Sequence, residues 1–377
     1  MSPAKRLRVG ILFGGRSGEH EVSLVSAASV IRALDQEKYE AVPIGIAKDG
    51  RWLVGTSAHK MLPDILKAGE RVVLPPDPSA AALVPLAAAS GQPTTLVDIV
   101  FPVLHGTFGE DGTVQGLLEL AGLPYVGPGV LASSVGMDKD IQKRLFAEAG
   151  LPVVPWLAVR RPEWERDPAK ILREVKQKFR FPVFVKPGTL GSSVGMTRVA
   201  KLADLRAAID LAAEFALKIL VERCVSAREI EVAVLGNSDA KASIPGEIVP
   251  HREFYDYTAK YLEEGTKLLI PAPLTKKQVA TFQDYAVRAF RAIDAAGMSR
   301  CDFFLDRKNR KIYINEINTI PGFTSISMYP KLWEASGVPY SKLIDRLIEL
   351  ALELHREKQR TRYSIELPSG SSGALGV

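Results

Sequence analysis

Residues 300–332, RCDFFLDRKNRKIYINEINTIPGFTSISMYPKL, decide how this chain is read. An apolar run ending at Asp306, a charged turn around Lys308 and Asn309, and the run KIYINEIN predict a β-hairpin. Strand side chains alternate faces, so Glu316 and Asn318 point the same way. With a loop at residues 308–310, Asp302 lies opposite Glu316 and shares that face. Two carboxylates and one amide oxygen then converge, with no cation expected among them. Oxygen donors of this kind suit a hard divalent ion, and Mg²⁺ where substrate phosphates complete the shell. Alone, Asp302 reads as an acidic strand end facing water, where ionisable residues mostly lie. Beside Pro321-Gly322 and the hydroxyls of Thr324, Ser325 and Ser327, the three together read as an active site.

Composition narrows the class. A chain of 377 residues is too long for one ordinary core, and two or three domains are expected. Hydrophobic content of 46% with 24% charged residues is that of a globular enzyme, which excludes a disordered protein. Cys224 and Cys301 are far apart and have no histidines at ligand spacing, so neither a disulfide framework nor a zinc site is expected. The start, MSPAKRLRVGILFGG, enters a strand almost at once without an apolar leader, and no run is long enough to span a bilayer. A cytoplasmic location without a membrane partner follows as the expectation. The net charge of +6 is scattered, with no basic tract interleaved with aromatics. A site for a small polyanion is therefore expected, and no nucleic acid.

Working outward from the hairpin, LRVGILFG (7–14) is a strand running into GGRSGEHEVS and a helix from Val22 to Leu34. A strand near 41–46, the strand DIVFPVLHG and a helix from Thr113 to Ala121 complete a parallel α/β domain over residues 1–128. Ligands of such domains bind at the carboxyl ends of the strands. Residues 60–98, rich in Ala and Pro, read as a helix plus a surface insertion. A central unit, 129–225, carries the helix MDKDIQKRLFAEAG and the strands FPVFVKP and KILVERCV. A C-terminal unit, 226–362, carries EIEVAVLG, a loop from 246 to 271 and the hairpin. It closes with SKLIDRLIELALELHREK, whose stripe Leu343, Leu347, Leu350 and Leu354 serves core or dimer packing. The Gly/Ser tail, 363–377, is expected to be disordered.

Several motifs gain meaning only in combination. FPVFVKPGTLGSSVG sets Lys186 at a strand end before a Gly/Ser loop whose backbone N–H groups can cradle a phosphate. No G-K-[ST] follows the glycines, so this is not a Walker A loop. VGPGVLAS fits a loose dinucleotide fingerprint, but a proline occupies the turn and no acidic residue follows at the required place. A nucleotide-binding oxidoreductase is the rival it supports. Lys139, Glu222 and Glu229 are each, singly, ordinary solvated side chains. EFYDYTAKY (253–261) has no clear period and suits a lid that excludes water. Glu19, His20 and His105 sit at the ligand edge of the first domain, Glu19 at the entrance to a helix.

The blocks GGRSGEHEVS, HGTFGEDGTVQG, VKPGTLGSSVG, REIEVAVLG, EFYDYTAKY and NEINTIPGFTSISMYPKL, in that order, resemble the D-alanine–D-alanine ligases of the ATP-grasp superfamily. The resemblance runs from residue 8 to about residue 355. It implies an α/β fold, α+β in the C-terminal half, with three domains and ATP gripped between two sheets. The implied reaction joins two D-alanine molecules through an acyl phosphate for peptidoglycan synthesis. ATP and two Mg²⁺ ions, replaceable by Mn²⁺, and a homodimer are implied with it.

The same resemblance assigns roles by motif position. Asp302, Glu316 and Asn318 hold the metals. Arg300 and the Gly322 N–H stabilise the acyl phosphate and the tetrahedral oxyanion. Glu19, linked to Ser192 and Tyr261, holds the first ammonium, and His105 lines that pocket. Ser327, the Met328 backbone and Lys260 hold the second carboxylate. Lys139 and Lys186 contact ATP phosphates, Glu222 and Val225 the adenine edge, and Glu229 the ribose. Ser192, Lys260 and Asn315 join the nucleotide-binding set. Tyr261 favours the dipeptide over the D-alanyl-D-lactate variant, which stays open beside other ATP-grasp carboxylate–amine ligases. Cys301 departs from the pattern, standing where an aliphatic residue is usual.

Overall fold

The structure is a computed structural model that describes residues 6–55, 61–80, 82–86, 95–191, 194–249, 266–324 and 326–363. Ser192, Lys260 and Tyr261, and the whole of 253–261 and of 364–377, lie outside the described residues.

Three sheets organise the described chain. In the first, Leu7–Gly14 runs parallel to Tyr39–Ile46 on one side and to Ile99–Pro102, at the sheet's edge, on the other. All but two of its residues are buried, as a parallel strand covered on both faces must be. One face packs on the helix His20–Ala33 and on the closing helix Tyr340–Lys358 in a shared core. Leu343, Leu347 and Leu350 of the latter are buried and Leu354 half-buried, so the leucine stripe is core. Lys38 reaches across to Asp345 at 2.8 Å.

The expectation for residues 60–98 needs correction. After the helix Leu62–Ala68, the strands Glu70–Val73, Ala82–Pro85 and Thr95–Leu96 extend the first sheet antiparallel from Trp52–Val54. Their apolar positions are too few and too short to show a period, yet Val72, Ala82 and Leu83 are buried. The 246–271 segment likewise is not all loop. Gly246–Val249 and Lys267–Leu269 pair antiparallel with each other in the third sheet.

The second sheet is antiparallel, in the order Thr197–Val199, Val183–Pro187, Lys218–Arg223, Trp156–Arg160. The third is centred on Ala227–Gly236 and Gly297–Asp306, with Ile312–Asn318 at its edge. Between these sheets lies the helix Lys139–Glu148. Asp138 caps its N-terminus, accepting the Asp140 and Ile141 N–H groups. On one side Phe146 enters the core of the third sheet, and the Gln142 side chain accepts the Ile317 N–H at 2.9 Å. On the other, the Lys139 N–H donates to Gly188 O at 2.8 Å, beyond the end of Val183–Pro187.

The hairpin pairs Asp302 with Glu316, but by a different route from the one expected. The Asp306 N–H donates to Lys311 O, so the loop is 307–310, one residue longer, with Arg310 at a φ of 61°. Leu305 therefore faces Ile312 and Phe303 faces Ile314. A bulge between Asp302 and Phe303 then leaves Asn315 without a partner and restores Asp302 to Glu316. Without it Asp302 would pair with Asn315, and a one-residue slip flips side chains to the other face.

Candidate active site

The second and third sheets face each other across a cavity of about 660 Å³. Lys139, Lys186, Glu222, Val225, Glu229, Asn315, Asp302 and Glu316 all line it. The residues singled out for nucleotide and metal thus come together, apart from Ser192 and Lys260, which are not described, and Asn318. Asn318 stands next to the cavity, donating from Nδ2 to Asp302 Oδ2 at 2.9 Å.

The expectation that no cation sits among these acids is overturned. Arg300 shares the cavity-facing side of its strand with Asp302 and donates Nε–H to Oδ1 and Nη2–H to Oδ2, each at 2.7 Å. The same guanidinium lies 2.9 Å from Glu231, which faces Asp302 on the neighbouring strand. Lys139 Nζ lies 3.0 Å from Glu316. Burial opposes the charge on Arg300, but Asp302 and Glu231 outweigh it and hold the guanidinium well above its ordinary range. Lys139 is raised in the same way, Glu316 overcoming desolvation. Arg300 thus pairs with both Asp302 and Glu231, and Lys139 pairs with Glu316.

Among the described residues, no three His, Cys, Asp or Glu side chains gather closely enough to hold a metal. Two carboxylates and an amide on one sheet face form an incomplete oxygen shell. Such a set fits Mg²⁺, which keeps water and substrate phosphate oxygens among its ligands.

The acid Glu222 is buried between two lysines, 2.9 Å from Lys186 and 3.2 Å from Lys143. Burial would raise its carboxyl, yet the ammonium groups prevail and lower it. The Gly-rich loop approaches the same cavity, since Lys139 Nζ donates to Leu190 O at 3.2 Å.

A second group of residues stands beside the first sheet. A methyl group built on Gly106 would lie 3.1 Å from Glu19 Oε2, and one on Gly191 3.6 Å from the same oxygen. The Glu19 carboxylate thus sits where the loop after Ile99–Pro102 meets the Gly-rich loop. His105 is buried, its Nε2 3.1 Å from Ser26 Oγ, and Ser26 Oγ accepts the Phe323 N–H at 3.4 Å. Burial pushes this imidazole below its usual range. Gly322 precedes Phe323, and Ser327 caps the turn that follows, its Oγ accepting the Thr324 N–H at 3.0 Å. Met328 opens the helix Met328–Ala335 with its side chain in the core, leaving only its backbone to face a ligand. His20 turns away, its Nδ1 2.8 Å from Gly15 O.

Three residues of these clusters escaped the sequence reading. Glu110 accepts the Gly106 N–H at 2.6 Å, and burial followed by the nearby Glu19 charge pushes its carboxyl up to about 8. Its signal was its place in HGTFGEDG, where Gly106, Phe108 and Gly112 all take positive φ and curl the loop inward. Glu231 was legible as the residue two beyond Glu229, on the same strand face. Lys143 was legible as one helical turn beyond Lys139.

The GPGVLA segment follows only an isolated parallel bridge, Tyr125 to Val100 of the first sheet, and runs from a β-extended Gly129 into the short helix Val130–Met137, which packs on the third sheet. That is not the strand–turn–helix context a dinucleotide fingerprint requires.

Comparison with known proteins identifies the family. Residues 8–128 match the family model described as "D-ala D-ala ligase N-terminus", and residues 145–349 match "D-ala D-ala ligase C-terminus". The chain is 51% identical to a D-alanine–D-alanine ligase of Heliobacterium modesticaldum, covering 93% of this chain and 96% of that one. It is 49% identical to a protein of the same name from Natranaerobius thermophilus, covering 94% and 98%. Among solved structures, the D-alanine-D-alanine ligase from Coxiella burnetii is similar with a TM-score of 0.83 at 38% identity, covering 95% of this chain and 97% of that chain. The VanG D-Ala:D-Ser ligase from Enterococcus faecalis gives a TM-score of 0.83 at 36% identity, covering 92% and 100%.

Proposed function

This chain belongs to the D-alanine–D-alanine ligase family, and we propose that it joins two D-alanine molecules into D-alanyl-D-alanine at the expense of ATP, for peptidoglycan precursor synthesis. The observation that carries the reading is Arg300, bound to Asp302 at the edge of a cavity that also holds Lys139, Lys186 and Glu316. A carboxylate is a poor electrophile until phosphorylation gives it a leaving group, and both steps concentrate negative charge at one place.

In this reading the first D-alanine sits with its ammonium on Glu19 beside His105, and its carboxylate attacks the γ-phosphate of ATP. Lys139 and Lys186 attract the phosphates, Glu222 and Val225 meet the adenine edge, Glu229 the ribose, and Asn315 lies with them. The second amine then attacks the acyl carbonyl, its own carboxylate held by Ser327 and the Met328 N–H. Arg300 and the Gly322 N–H face the oxygen that becomes negative. Asp302, Glu316 and Asn318 would hold the divalent ions, two Mg²⁺ or Mn²⁺, which supply charge neutralisation across the phosphates. Ser192, Lys260 and Tyr261, outside the described residues, complete the amino-acid and lid contacts in the same reading.

The division into units 1–128, 129–225 and 226–362 belongs to this reading, supported by one sheet falling in each. A homodimer and a cytoplasmic location belong to it as well. Among the described residues, no helix is long and apolar enough to cross a membrane.

Phosphate release and product analysis with Mg²⁺-ATP test the reading. D-Alanine alone is expected to support turnover and give the dipeptide. A requirement for D-lactate or D-serine would replace the dipeptide by an ester or a mixed dipeptide. Absence of turnover with any of them would overturn the ligase assignment.

A further inference from the structure

Lys143 is fully buried in the helix Lys139–Glu148. A lysine is rarely taken wholly out of water without a reason, because desolvating its ammonium is costly. Its Nζ lies 3.2 Å from Glu222 Oε1, while Lys186 takes the other oxygen, Oε2, at 2.9 Å. Among the described residues neither Lys143 Nζ nor Glu222 Oε1 makes an aligned hydrogen bond, so the 3.2 Å contact is a charge pairing. The three groups differ in access. Glu222 and Lys186 line the cavity, and Lys143 does not.

That asymmetry defines a task. When a phosphate enters, Lys186 must turn from Glu222 toward it, and a buried carboxylate left alone would oppose the movement. An uncompensated charge in such a place is strongly destabilising. With Lys143 behind it, Glu222 keeps a counter-ion when Lys186 leaves. The trio also carries one net positive charge toward the cavity, which favours a polyphosphate.

We propose that Lys143 is a positioning residue for nucleotide binding, a standing counter-ion for Glu222 that frees Lys186 to engage the phosphates. The inference rests on the nucleotide-site reading given under Proposed function. Lys143 acts through Glu222 and does not touch the ligand.

A double-mutant cycle on the full-length protein tests it, with K143M, E222Q and K143M/E222Q read by Mg²⁺-ADP titration calorimetry and by initial rates. K143M is expected to weaken nucleotide binding and raise the KM for ATP about tenfold or more, with the KM for D-alanine changed less than twofold. In the E222Q background the same substitution is expected to change nucleotide affinity less than threefold, because no buried carboxylate remains to be balanced. Thermal unfolding of all four proteins identifies any variant that does not fold. If K143M alone fails, the comparison of E222Q with the double variant decides. An equal loss in both backgrounds overturns the proposal, as does a folded K143M with unchanged nucleotide affinity. Failure of the wild-type protein to bind Mg²⁺-ADP would instead overturn the nucleotide-site reading itself.

Discussion

Arg300 and Asp302, two positions apart on one strand, form a two-pronged ion pair with both contacts at 2.7 Å. Residues i and i+2 share a strand face, so the pair is built by β geometry alone. The planar fork of arginine matches a carboxylate in a way lysine cannot. Arg300→Ala is expected to lower kcat by about 10²–10³, in line with removal of one oxyanion donor. Arg300→Lys keeps the charge but loses the fork, and should recover only part of that loss. Steady-state rates at saturating ATP and D-alanine measure both. A loss under about tenfold for the alanine variant would show the role to be misassigned.

The acids across the hairpin make a separate prediction. Asp302→Asn keeps the shape but removes the charge that balances Arg300 and that a cation would require. The Mg²⁺ concentration giving half-maximal turnover should rise at least about tenfold, because hard cations depend on carboxylate charge. Asn318→Ala should raise it less, since an amide contributes an oxygen without charge. Magnesium titrations of turnover, with ATP held in excess, separate the two. Equal magnesium dependence in wild type and Asp302→Asn would remove Asp302 from the metal shell.

Glu110 gives the fold a pH signature. Its carboxyl is raised from 4.5 to about 8, by burial first and then by the Glu19 charge. The folded protein therefore binds a proton that the unfolded chain has lost between those values, and stability falls as pH rises through that window. Glu110→Gln removes this proton linkage. The stability difference between wild type and variant should change by up to about 1.4 kcal/mol per pH unit between pH 4.5 and 8, moving in the variant's favour as pH rises. Urea unfolding at several pH values measures it. Two parallel stability curves across that window would refute the raised carboxyl.

The hairpin shows how far the sequence can be read. Alternation along KIYINEIN gave the shared face of Glu316 and Asn318, because that pattern is set by the local strand period. The partner of Glu316 came out right for a reason that local pattern does not contain. A longer loop and a bulge at Asn315 each shift the register by one, and they cancel. The cations were missed for a related reason. Arg300 shares its face with Asp302 on one strand, but Lys139 arrives from a helix more than 150 residues earlier in sequence, and only packing brings it to Glu316. The strands of residues 70–96 were missed because strands this short carry too few side chains to show alternation. In each case the element with a long, regular period was legible, and the contact made by tertiary packing was not.

Packing also ties the site to the first domain through one aromatic ring. Phe323 is fully buried, edge-on to Phe101 of the first sheet at 5.7 Å and 5.5 Å from Tyr329 of the helix that follows. Its carbonyl accepts the Tyr340 hydroxyl at 2.9 Å, and its N–H reaches Ser26, the partner of His105. The turn that carries Gly322 and Ser327 is thus fixed to the first sheet by a side chain that touches neither proposed substrate. Phe323→Ala should cost about 3–5 kcal/mol of stability, as removal of a buried ring does. Phe323→Leu, which fills more of the space, should cost less. If the ring positions the turn, both variants should raise the KM for D-alanine more than the KM for ATP, because Gly322 and Ser327 stand on the amino-acid side. Denaturant unfolding gives the first quantity and initial rates give the second. A stability loss with both KM values unchanged would confine Phe323 to the core and leave the turn to be held by its hydrogen bonds alone.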